Sequence, residues 1–394
     1  MSHETSGCLT MRSGHTGCRI AVVSQKLLGH AIPALGIGQA LAERGHDVYY
    51  LGHSSLRPLV EGSLVKLAEI EWGVIPTDFI FETMEEITCV LRQIGAELLI
   101  TDSAMAAPAY CAELLGIPWV SFQTSIPLPD RLIPGNPSIV KRARSRYEGQ
   151  LNHVRTKAGL PALADERRTR GDLAGISPHL HLAMVYPQMI EHWEELPANT
   201  EVIGACAYAP DIEPLASPDD SRPSVLICSS SLMRVDYRAI MQNYIHTSLT
   251  ALEAAPVNLL LSEQNGLRLR KPFPPNLHFY SEYPVHDRLL PFSSAAITHG
   301  GCNTIQKAMR FGVPMVIIPL GDEQPLLAER CVKLGIAIMI SSDDISEDSM
   351  RQAVAVLLED QSPYTLAASK LADDLKAGCP NIRGAELVER VLRH

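Results

Sequence analysis

The segment from Thr298 to Thr304, which reads Thr-His-Gly-Gly-Cys-Asn-Thr, has the residue types of an anion-binding turn. It follows a short apolar run that predicts a buried strand, and the residues after it have the spacing of a helix. Gly300 and Gly301 let backbone N–H groups approach a ligand closely, and the helix start adds unpaired N–H donors with a partial positive charge. His299 and Thr304 can add side-chain donors. The segment predicts a phosphate site, although a tight turn before a capped helix has the same pattern.

Composition and charge restrict what such a site can serve. The chain has 394 residues, with 34 Lys and Arg against 44 Asp and Glu, so its formal net charge is −10. Nucleic-acid binding needs an excess of basic residues, and this chain has an excess of acidic ones. We therefore expect no nucleic-acid partner. The nine cysteines form no Cys-x-x-Cys pair, which favours reduced thiols and a cytoplasmic location. No apolar run reaches the roughly 20 residues of a membrane-spanning helix.

Strands and helices alternate along both halves of the chain, which predicts an α/β protein with parallel, doubly wound sheets. A segment rich in Pro, Asp and Ser separates the two alternating regions and has the composition of a linker. We therefore expect two facing domains with a cleft between them. The expected organisation is a flexible leader over 1–18, an N-terminal domain over 19–205, a linker over 206–223, a C-terminal domain over 224–380, and a helix over 381–394 that packs back on the N-terminal domain.

Three predicted elements bear on the position of the site. A first strand is followed by a loop over 25–30 and by a helix over 31–44, in which Pro33 suits the first turn. Another strand ends directly before Asp102, at the carboxyl edge of the sheet where ligands of α/β proteins bind.

The basic helical stretch over 141–157 has the pattern of a solvated helix face. Its alternative role is weak contact with an anionic membrane surface.

A second pattern follows the phosphate turn at fixed spacing. Gly312-Val-Pro comes after the predicted helix, and Glu323-Gln comes after the next strand. The stretch 298–324 resembles the donor-binding signature of family 1 glycosyltransferases, which reads His-Gly/Cys-Gly-x-Asn/Gly-Ser/Thr, then Gly-Val-Pro, then Asp/Glu-Gln. Near the amino terminus, 29–33 and 44–48 resemble the opening pattern of the same family. The resemblance implies the GT-B fold, in which two Rossmann-like domains face each other.

The resemblance also implies roles for side chains in both halves. It implies that His30 is the general base for an acceptor hydroxyl and that Asp102 orients it. A neutral imidazole has a pKa suited to such proton transfer near neutral pH. The plainer alternatives are a packing histidine at a helix start and an aspartate that caps a helix. The implied donor-binding residues are Ser229, Ser230, Tyr283, Val285, His286, His299, Gly300, Gly301, Asn303, Thr304, Lys307, Glu323 and Gln324.

One departure from the family concerns the ribose of the donor. Members usually carry Glu or Asp eight residues after the signature histidine, where the carboxylate accepts hydrogen bonds from the ribose hydroxyls. That position is Lys307 here, and an ammonium group donates hydrogen bonds without accepting any. We therefore expect a weakened preference for UDP, with dTDP-linked sugars accepted comparably or better. The alternative is that Lys307 is a solvated helix residue.

Two further departures concern the diphosphate and the base. The motif that usually reads Ser-Leu-Gly-Thr is Ser-Ser-Ser-Leu over 229–232, so Ser231 stands in place of the glycine. The base-stacking motif Trp-x-Pro-Gln appears as Tyr-Pro-Val-His over 283–286. Tyr283 can still stack on a pyrimidine, whereas His286 replaces the glutamine. These changes affect the prediction of which nucleotide the donor carries more than they affect the resemblance to the family.

The resemblance implies an inverting glycosyltransferase that moves a sugar from a nucleotide-sugar donor to a hydroxyl of a small, largely apolar acceptor such as a polyketide or carotenoid. We expect no metal and no cofactor beside the nucleotide-sugar co-substrate, because the helix start supplies positive potential at the leaving diphosphate. The alternative is a non-catalytic relative, either a nucleotide or sugar binder or an auxiliary subunit, which Lys307 and the serine loop favour. Retention of both His30 and Asp102 argues against it. A third hypothesis is that the protein is a sugar-nucleotide epimerase. The sequence does not predict the oligomeric state.

Overall fold

The computed structural model describes most of the chain. The described residues are 17–70, 80–129, 131, 150–163, 173–208, 215, 218, 221–230, 235–263, 266–269, 271–281, 285–321 and 323–393. Two residues that the sequence analysis singles out, Tyr283 and Ser231, lie outside this set. Residues 1–16 of the expected leader and 141–149 of the basic stretch lie outside it as well.

Parallel strands form one sheet in the described part of the N-terminal half. They are β1 Arg19–Val23, β2 Asp47–Gly52, β3 Lys66–Glu69, β4 Leu98–Asp102, β5 Trp119–Gln123, β6 His181–Ala183 and β7 Thr200–Val202. Their order is β3-β2-β1-β4-β5-β6-β7. The winding of the sheet reverses between β1 and β4, and ligands of such sheets bind beyond the carboxyl ends of the strands at this point.

A second parallel sheet occupies the described part of the C-terminal half. It contains β8 Ser224–Cys228, β9 Asn258–Ser262, β10 Leu277–Tyr280, β11 Ala295–Thr298, β12 Met315–Ile317 and β13 Ala337–Met339. The order is β10-β9-β8-β11-β12-β13, so the winding reverses between β8 and β11. Every residue of these two strands is buried, because helices cover both faces of the sheet. The expectation of two doubly wound α/β units is confirmed.

Helices connect the strands and cover the two sheets. They are α1 Leu28–Glu43, α2 Arg57–Val60, α3 Ile80–Ile94, α4 Ala106–Leu115, α5 (described over 150–157), α6 Val235–Leu252, α7 His286–Leu289, α8 Cys302–Phe311, α9 Gln324–Lys333, α10 Glu347–Leu358, α11 Pro363–Leu375 and α12 Pro380–Leu392. Within the described residues, none of these helices has both the length and the apolar composition needed to cross a membrane.

The last helix, α12, packs on α1 of the N-terminal half. Its buried residues Ala385, Leu387 and Val388 belong to the same apolar cluster as the core of the first sheet. Asn381 at its start exchanges two hydrogen bonds with the backbone of Ala207, at 2.8 and 3.1 Å. The chain therefore returns from the C-terminal half and closes the core of the N-terminal half.

The two halves also share apolar contacts away from the cleft. Val185 and Met189, which follow β6, are buried in the apolar cluster of the C-terminal half together with Ile305. Gln306 of α8 extends this contact, because its amide bonds the backbone around Tyr186 in both directions. This contact ties α8, which follows the phosphate turn, to the N-terminal half.

The structure corrects the predicted start of the first helix. α1 begins at Leu28 rather than at residue 31, so His30 lies in its first turn and not in a loop. Pro33 consequently lies in the second turn, where its missing N–H leaves the carbonyl four residues earlier without a helical donor. That carbonyl belongs to Gly29, and it accepts a hydrogen bond from Asn303 Nδ2 instead.

The structure also corrects one residue of the basic stretch. Arg155 was expected on a solvated face, but the residue is only 2% exposed. Its guanidinium forms two hydrogen bonds with the carboxylate of Glu113, at 3.1 and 2.7 Å, and lies 4.7 Å from the ring centre of Tyr110. The ion pair of Arg155 with Glu113 holds α5 against α4. Arg155 is therefore not part of a surface that could bind anionic lipid.

Candidate active site

The side chains of His30 and Asp102 meet at the winding reversal of the first sheet. His30 extends from the first turn of α1, after β1, and Asp102 is the last residue of β4. The His30 Nδ1 atom lies 2.7 Å from Asp102 Oδ2, and the Thr124 hydroxyl lies 3.4 Å from the same nitrogen. Because a carboxylate only accepts, Nδ1–H donates to Asp102, and Nε2 is left as a proton acceptor.

Asp102 serves local structure as well as His30. Its second oxygen, Oδ1, accepts a hydrogen bond from the backbone N–H of Ala104 at 3.0 Å. The N-cap of α4 is Met105, which makes no side-chain capping bond. The aspartate side chain is 2% exposed, so its two hydrogen bonds fix its orientation and leave one oxygen for His30. Asp102 therefore orients His30 and braces the turn before α4, but it does not cap that helix, because the N-cap position belongs to Met105.

The pKa of His30 is raised above its ordinary value by neighbouring carboxylates. Burial lowers the pKa, but the charge of Asp102, its hydrogen bond and the charge of Glu323 together outweigh this effect. Asp102 comes from the N-terminal half and Glu323 from the C-terminal half, so both sides of the cleft favour the imidazolium. The side chain stays 27% exposed, which leaves access for a substrate.

The turn over 298–304 leaves the start of α8 open. The N-cap of α8 is Gly301, which has no side chain to cap the helix, so the first-turn N–H groups point to the cleft edge without a capping oxygen. Gly300 has a φ of +85°, and a β carbon there would lie 2.9 Å from Ile317 Cγ2. A β carbon on Gly301 would lie 2.6 Å from His299 Nε2. Both positions therefore need glycine to hold this uncapped turn.

His299 lies under this turn as a neutral imidazole. The residue is 7% exposed, and burial lowers its pKa to about 4. Within the part of the chain that the structure describes, Nδ1 of His299 has no hydrogen-bond partner. A buried nitrogen without a partner costs stability unless a ligand or water meets it, so His299 can serve as a neutral donor or acceptor beside an anion.

The serines after β8 lie at the same edge as the phosphate turn, because β8 neighbours β11 in the sheet. The backbone N–H of Ser229 donates to Ser262 O at 3.0 Å. Ser230 is 2% exposed, and its N–H points to Met241 Sδ at 3.0 Å. Ser229 is thus the more accessible of the two expected donor contacts, and Ser230 packs towards α6.

His286 and Thr304 lie together in the C-terminal half, whereas Val285 does not contribute a side chain to the site. His286 Nδ1 is 3.5 Å from Thr304 Oγ1, and Nε2 is 3.2 Å from Ser262 Oγ. Burial, together with the charge of Lys307, lowers the pKa of His286 to about 3, so this histidine is neutral. The Val285 side chain is fully buried in the apolar core, so only its backbone is available to a ligand.

Lys307 forms an ion pair that the sequence analysis missed. Its ammonium group bonds the carboxylate of Asp287 on α7. The two side chains are 12% and 13% exposed, so the alternative of a solvated lysine is wrong. The pair brings a carboxylate next to the position where the family resemblance implies one. The only signal in the sequence was the acidic residue directly after His286.

Glu323 and Gln324 differ in how far they are available to a ligand. Glu323 Oε1 lies 3.4 Å from the Ser125 hydroxyl of the N-terminal half, so this carboxylate faces the cleft. Gln324 is 4% exposed, and its Oε1 accepts a hydrogen bond from Leu320 N at 2.9 Å. The Gln324 side chain therefore shapes the loop before α9, with its NH₂ group left for any contact with a sugar.

One cluster of possible metal ligands occurs among the described residues, and it lies away from this site. His192, Glu194 and Glu195 bring three ligand atoms within 4.8 Å of one another on an exposed segment after β6. Arg131 donates to His192 at 3.3 Å and to Glu195 at 2.5 Å. A guanidinium occupies the position that a cation would take, so the cluster fits an ion-paired surface better than a metal site.

Both halves of the chain are similar to known proteins. Residues 247–392 match the model of the family described as Erythromycin biosynthesis protein CIII-like, C-terminal domain. The chain is 24% identical to 4'-demethylrebeccamycin synthase of Lentzea aerocolonigenes, over 95% of this chain and 99% of that protein.

Solved structures show the same fold over nearly the whole chain. The glycosyltransferase of kitacinnamycin superposes with a TM-score of 0.77 at 22% identity, covering 95% of this chain and 99% of that one. The spinosyn rhamnosyltransferase complexed with thymidine diphosphate superposes with a TM-score of 0.68 at 20% identity, covering 93% and 100%. The signature over 298–324, the two facing sheets and these relationships agree: the chain has the GT-B fold of these solved glycosyltransferases, and its residues 247–392 match the family of Erythromycin biosynthesis protein CIII-like C-terminal domains.

Proposed function

We propose that the protein transfers a sugar from a nucleoside diphosphate to a hydroxyl group with inversion at the anomeric carbon, using His30 as the general base. The observation that supports this most directly is a hydrogen bond across the cleft. Asn303 Nδ2, at the start of α8, donates to Gly29 O at 2.7 Å, and Gly29 directly precedes His30. The proton acceptor and the anion-binding turn therefore face each other over a short gap.

In the proposed reaction, the acceptor O–H gives its proton to His30 Nε2 as the oxygen attacks the anomeric carbon. The new bond from this carbon to the acceptor oxygen forms as the bond to the diphosphate oxygen breaks. The electron pair of the broken bond stays with the nucleoside diphosphate, whose charge the uncapped start of α8 stabilises. Asp102 stabilises the imidazolium that results, as the carboxylate of a catalytic triad does.

The donor is proposed to lie in the C-terminal half. Thr304, His299 and the N–H groups of the α8 start would hold the diphosphate, and Glu323 would accept hydrogen bonds from hydroxyls of the transferred sugar. A relative of this fold was solved with thymidine diphosphate, which supports a dTDP-linked donor. Lys307 supports the same choice, because its ammonium group offers no acceptor for a 2′-hydroxyl and engages the carboxylate of Asp287.

The acceptor is proposed to be a small, largely apolar natural product with a free hydroxyl. The name of the relative from Lentzea aerocolonigenes, 4'-demethylrebeccamycin synthase, supports a natural-product acceptor. The proposed proton transfer needs only a hydroxyl within reach of His30 Nε2, so the reaction step does not itself depend on the acceptor's carbon skeleton.

The test is a transfer assay with a panel of UDP- and dTDP-linked sugars and the phenolic acceptor 4-methylumbelliferone. We expect a glycoside whose anomeric configuration, read by NMR, is opposite to that of the donor. Retention of configuration would contradict the single displacement. Binding of UDP or dTDP without any transfer or donor hydrolysis would favour a non-catalytic nucleotide binder, which the Lys307 departure supports.

A further inference from the structure

The second turn of α1 contains a proline that changes the bonding of the first turn. Pro33 has no N–H, so the carbonyl of Gly29, four residues earlier, receives no bond from the helix. The neighbouring amide of Ala31 bonds Leu27 O at 3.0 Å in the ordinary way. The helix therefore carries one backbone acceptor without a helical donor, immediately before His30.

The C-terminal half supplies the donor for this carbonyl. Asn303 is the second residue of α8, and its Nδ2 lies 2.7 Å from Gly29 O. The fit is close, since a β carbon on Gly29 would lie 3.4 Å from the same nitrogen. Pro33 and Asn303 line one small cavity between the two halves. A side chain at the anion-binding turn thus completes the backbone bonding of the helix turn that carries His30.

We propose that Asn303 is a positioning residue whose side chain fixes the His30 turn of α1 to the start of α8, through the carbonyl that Pro33 leaves open. In this role the Asn303 side chain is not a ligand of the diphosphate, and the backbone N–H groups of α8 carry that interaction. The inference rests on the proposed function for its catalytic meaning. The hydrogen bond sets the distance between the proton acceptor and the leaving group when the cleft is closed.

The kinetic test is Asn303→Ala, assayed with the same phenolic acceptor. We expect kcat to fall about tenfold or more, because small errors in the placement of a base are costly. The affinity for UDP and dTDP, measured by calorimetry, should change less than threefold, and the acid limb of the pH profile should keep its midpoint because Asp102 is intact. A loss of nucleotide affinity with kcat unchanged would overturn the proposal and return the side chain to the diphosphate.

A second test uses Pro33→Ala, which restores an N–H opposite Gly29 O. The new amide competes with Asn303, so removal of the Asn303 side chain should cost less stability in the Pro33→Ala variant than in the wild type. Thermal unfolding of the four proteins of this double-mutant cycle measures the coupling without any transfer assay. Pro108→Ala is the matched control, because Pro108 lies in the first turn of α4, where no helical N–H bond is lost.

Additive effects on the unfolding temperature in the Pro33 cycle would contradict the proposed link, whatever the enzyme catalyses. Failure of the proposed function gives a different result, namely that the unfolding temperatures couple while His30→Ala still transfers sugar. The Pro108 cycle should be additive in either case.

Discussion

At the level of single residues, the raised pKa of His30 makes a prediction about pH. The base must be neutral to accept a proton, so kcat/KM should rise with pH and reach half its limit above the ordinary histidine value of about 6.5. Two ionised groups face the imidazole, Asp102 from β4 and Glu323 from the loop before α9. Both groups stabilise the imidazolium, so the midpoint of the pH profile should lie above that of an ordinary histidine.

Asp102→Asn should lower the rate and move this midpoint to lower pH, because the negative charge that stabilises the imidazolium is removed. Glu323→Gln should move it in the same direction by a smaller amount, since Glu323 acts only through its charge. The measurement is the pH dependence of kcat/KM for the three proteins. A midpoint that stays in place in Asp102→Asn would remove the pair from the mechanism.

The ion pair of Lys307 sets the design of the nucleotide test. Lys307→Glu alone would place two carboxylates side by side, so the informative variant exchanges the pair as Asp287→Lys with Lys307→Glu. This exchange keeps the ion pair and puts a carboxylate at residue 307, where it can accept from a 2′-hydroxyl. We expect UDP to gain over dTDP by roughly 0.5–1.5 kcal/mol, the net value of a hydrogen bond.

Calorimetric affinities for UDP and dTDP measure this gain. The double variant Asp287→Asn with Lys307→Gln is the control, because it removes both charges without adding a carboxylate. If the wild type already prefers UDP a hundredfold and the exchange changes nothing, Lys307 does not determine the choice of nucleotide.

The proximity of His30 and Asp102 could be predicted, whereas the partner of Lys307 could not. Asp102 ends a parallel strand, and the carboxyl ends of parallel strands meet at one edge, so its place near His30 followed from topology. Asp287 lies on another helix, 20 positions away in the chain. Helical spacing relates a residue only to its own helix, so this pair between elements left no periodic signal.

At the level of elements, the start of α8 should replace a metal ion. Its uncapped N–H groups and dipole provide positive potential where the diphosphate leaves. Within the described part of the chain, the one cluster with metal-ligand geometry is the exposed group around His192, outside this site. Transfer should therefore persist in excess EDTA. Loss of activity that Mg²⁺ or Mn²⁺ restores would show that the helix start is not sufficient.

The start of α1 shows why an element boundary can be misplaced. Proline is favoured in the first turn of a helix, and this preference predicted a start at residue 31. The helix nevertheless begins at Leu28, and Asn303, which is distant in sequence, donates to the carbonyl that Pro33 leaves without its helical donor. A local preference cannot anticipate a donor from the other half of the molecule.

At the level of the whole molecule, the contact of α12 with α1 depends on a small residue. A β carbon on Gly384 would lie 2.8 Å from Ile37 Cδ1 and 3.1 Å from Ile203 Cδ1. Gly384→Leu should therefore overpack this contact and destabilise the protein by about 1–3 kcal/mol. Thermal unfolding measures the loss. Gly378→Leu is the control, since at this exposed position a β carbon would come no closer than 3.8 Å to its nearest neighbour, Leu375 O, and an equal effect there would contradict the packing argument.

The two α/β units could be predicted because alternation of strands and helices is a local pattern, repeated in each half. The contacts that join the halves could not be predicted in this way. Gln306 bonds backbone groups around Tyr186, more than 100 positions earlier, and no local pattern marks that pairing. The geometry of the cleft depends on these contacts, so it could be described only from the structure and not from the sequence.

The most direct test of the proposed mechanism is His30→Ala, with transfer and nucleotide binding measured on the same preparation. The base lies in the N-terminal half and the anion-binding turn in the C-terminal half. We expect transfer to fall by about 10²–10⁴, the usual cost of losing a general base, while the affinities for UDP and dTDP change less than threefold. Unchanged turnover in this variant would contradict the mechanism.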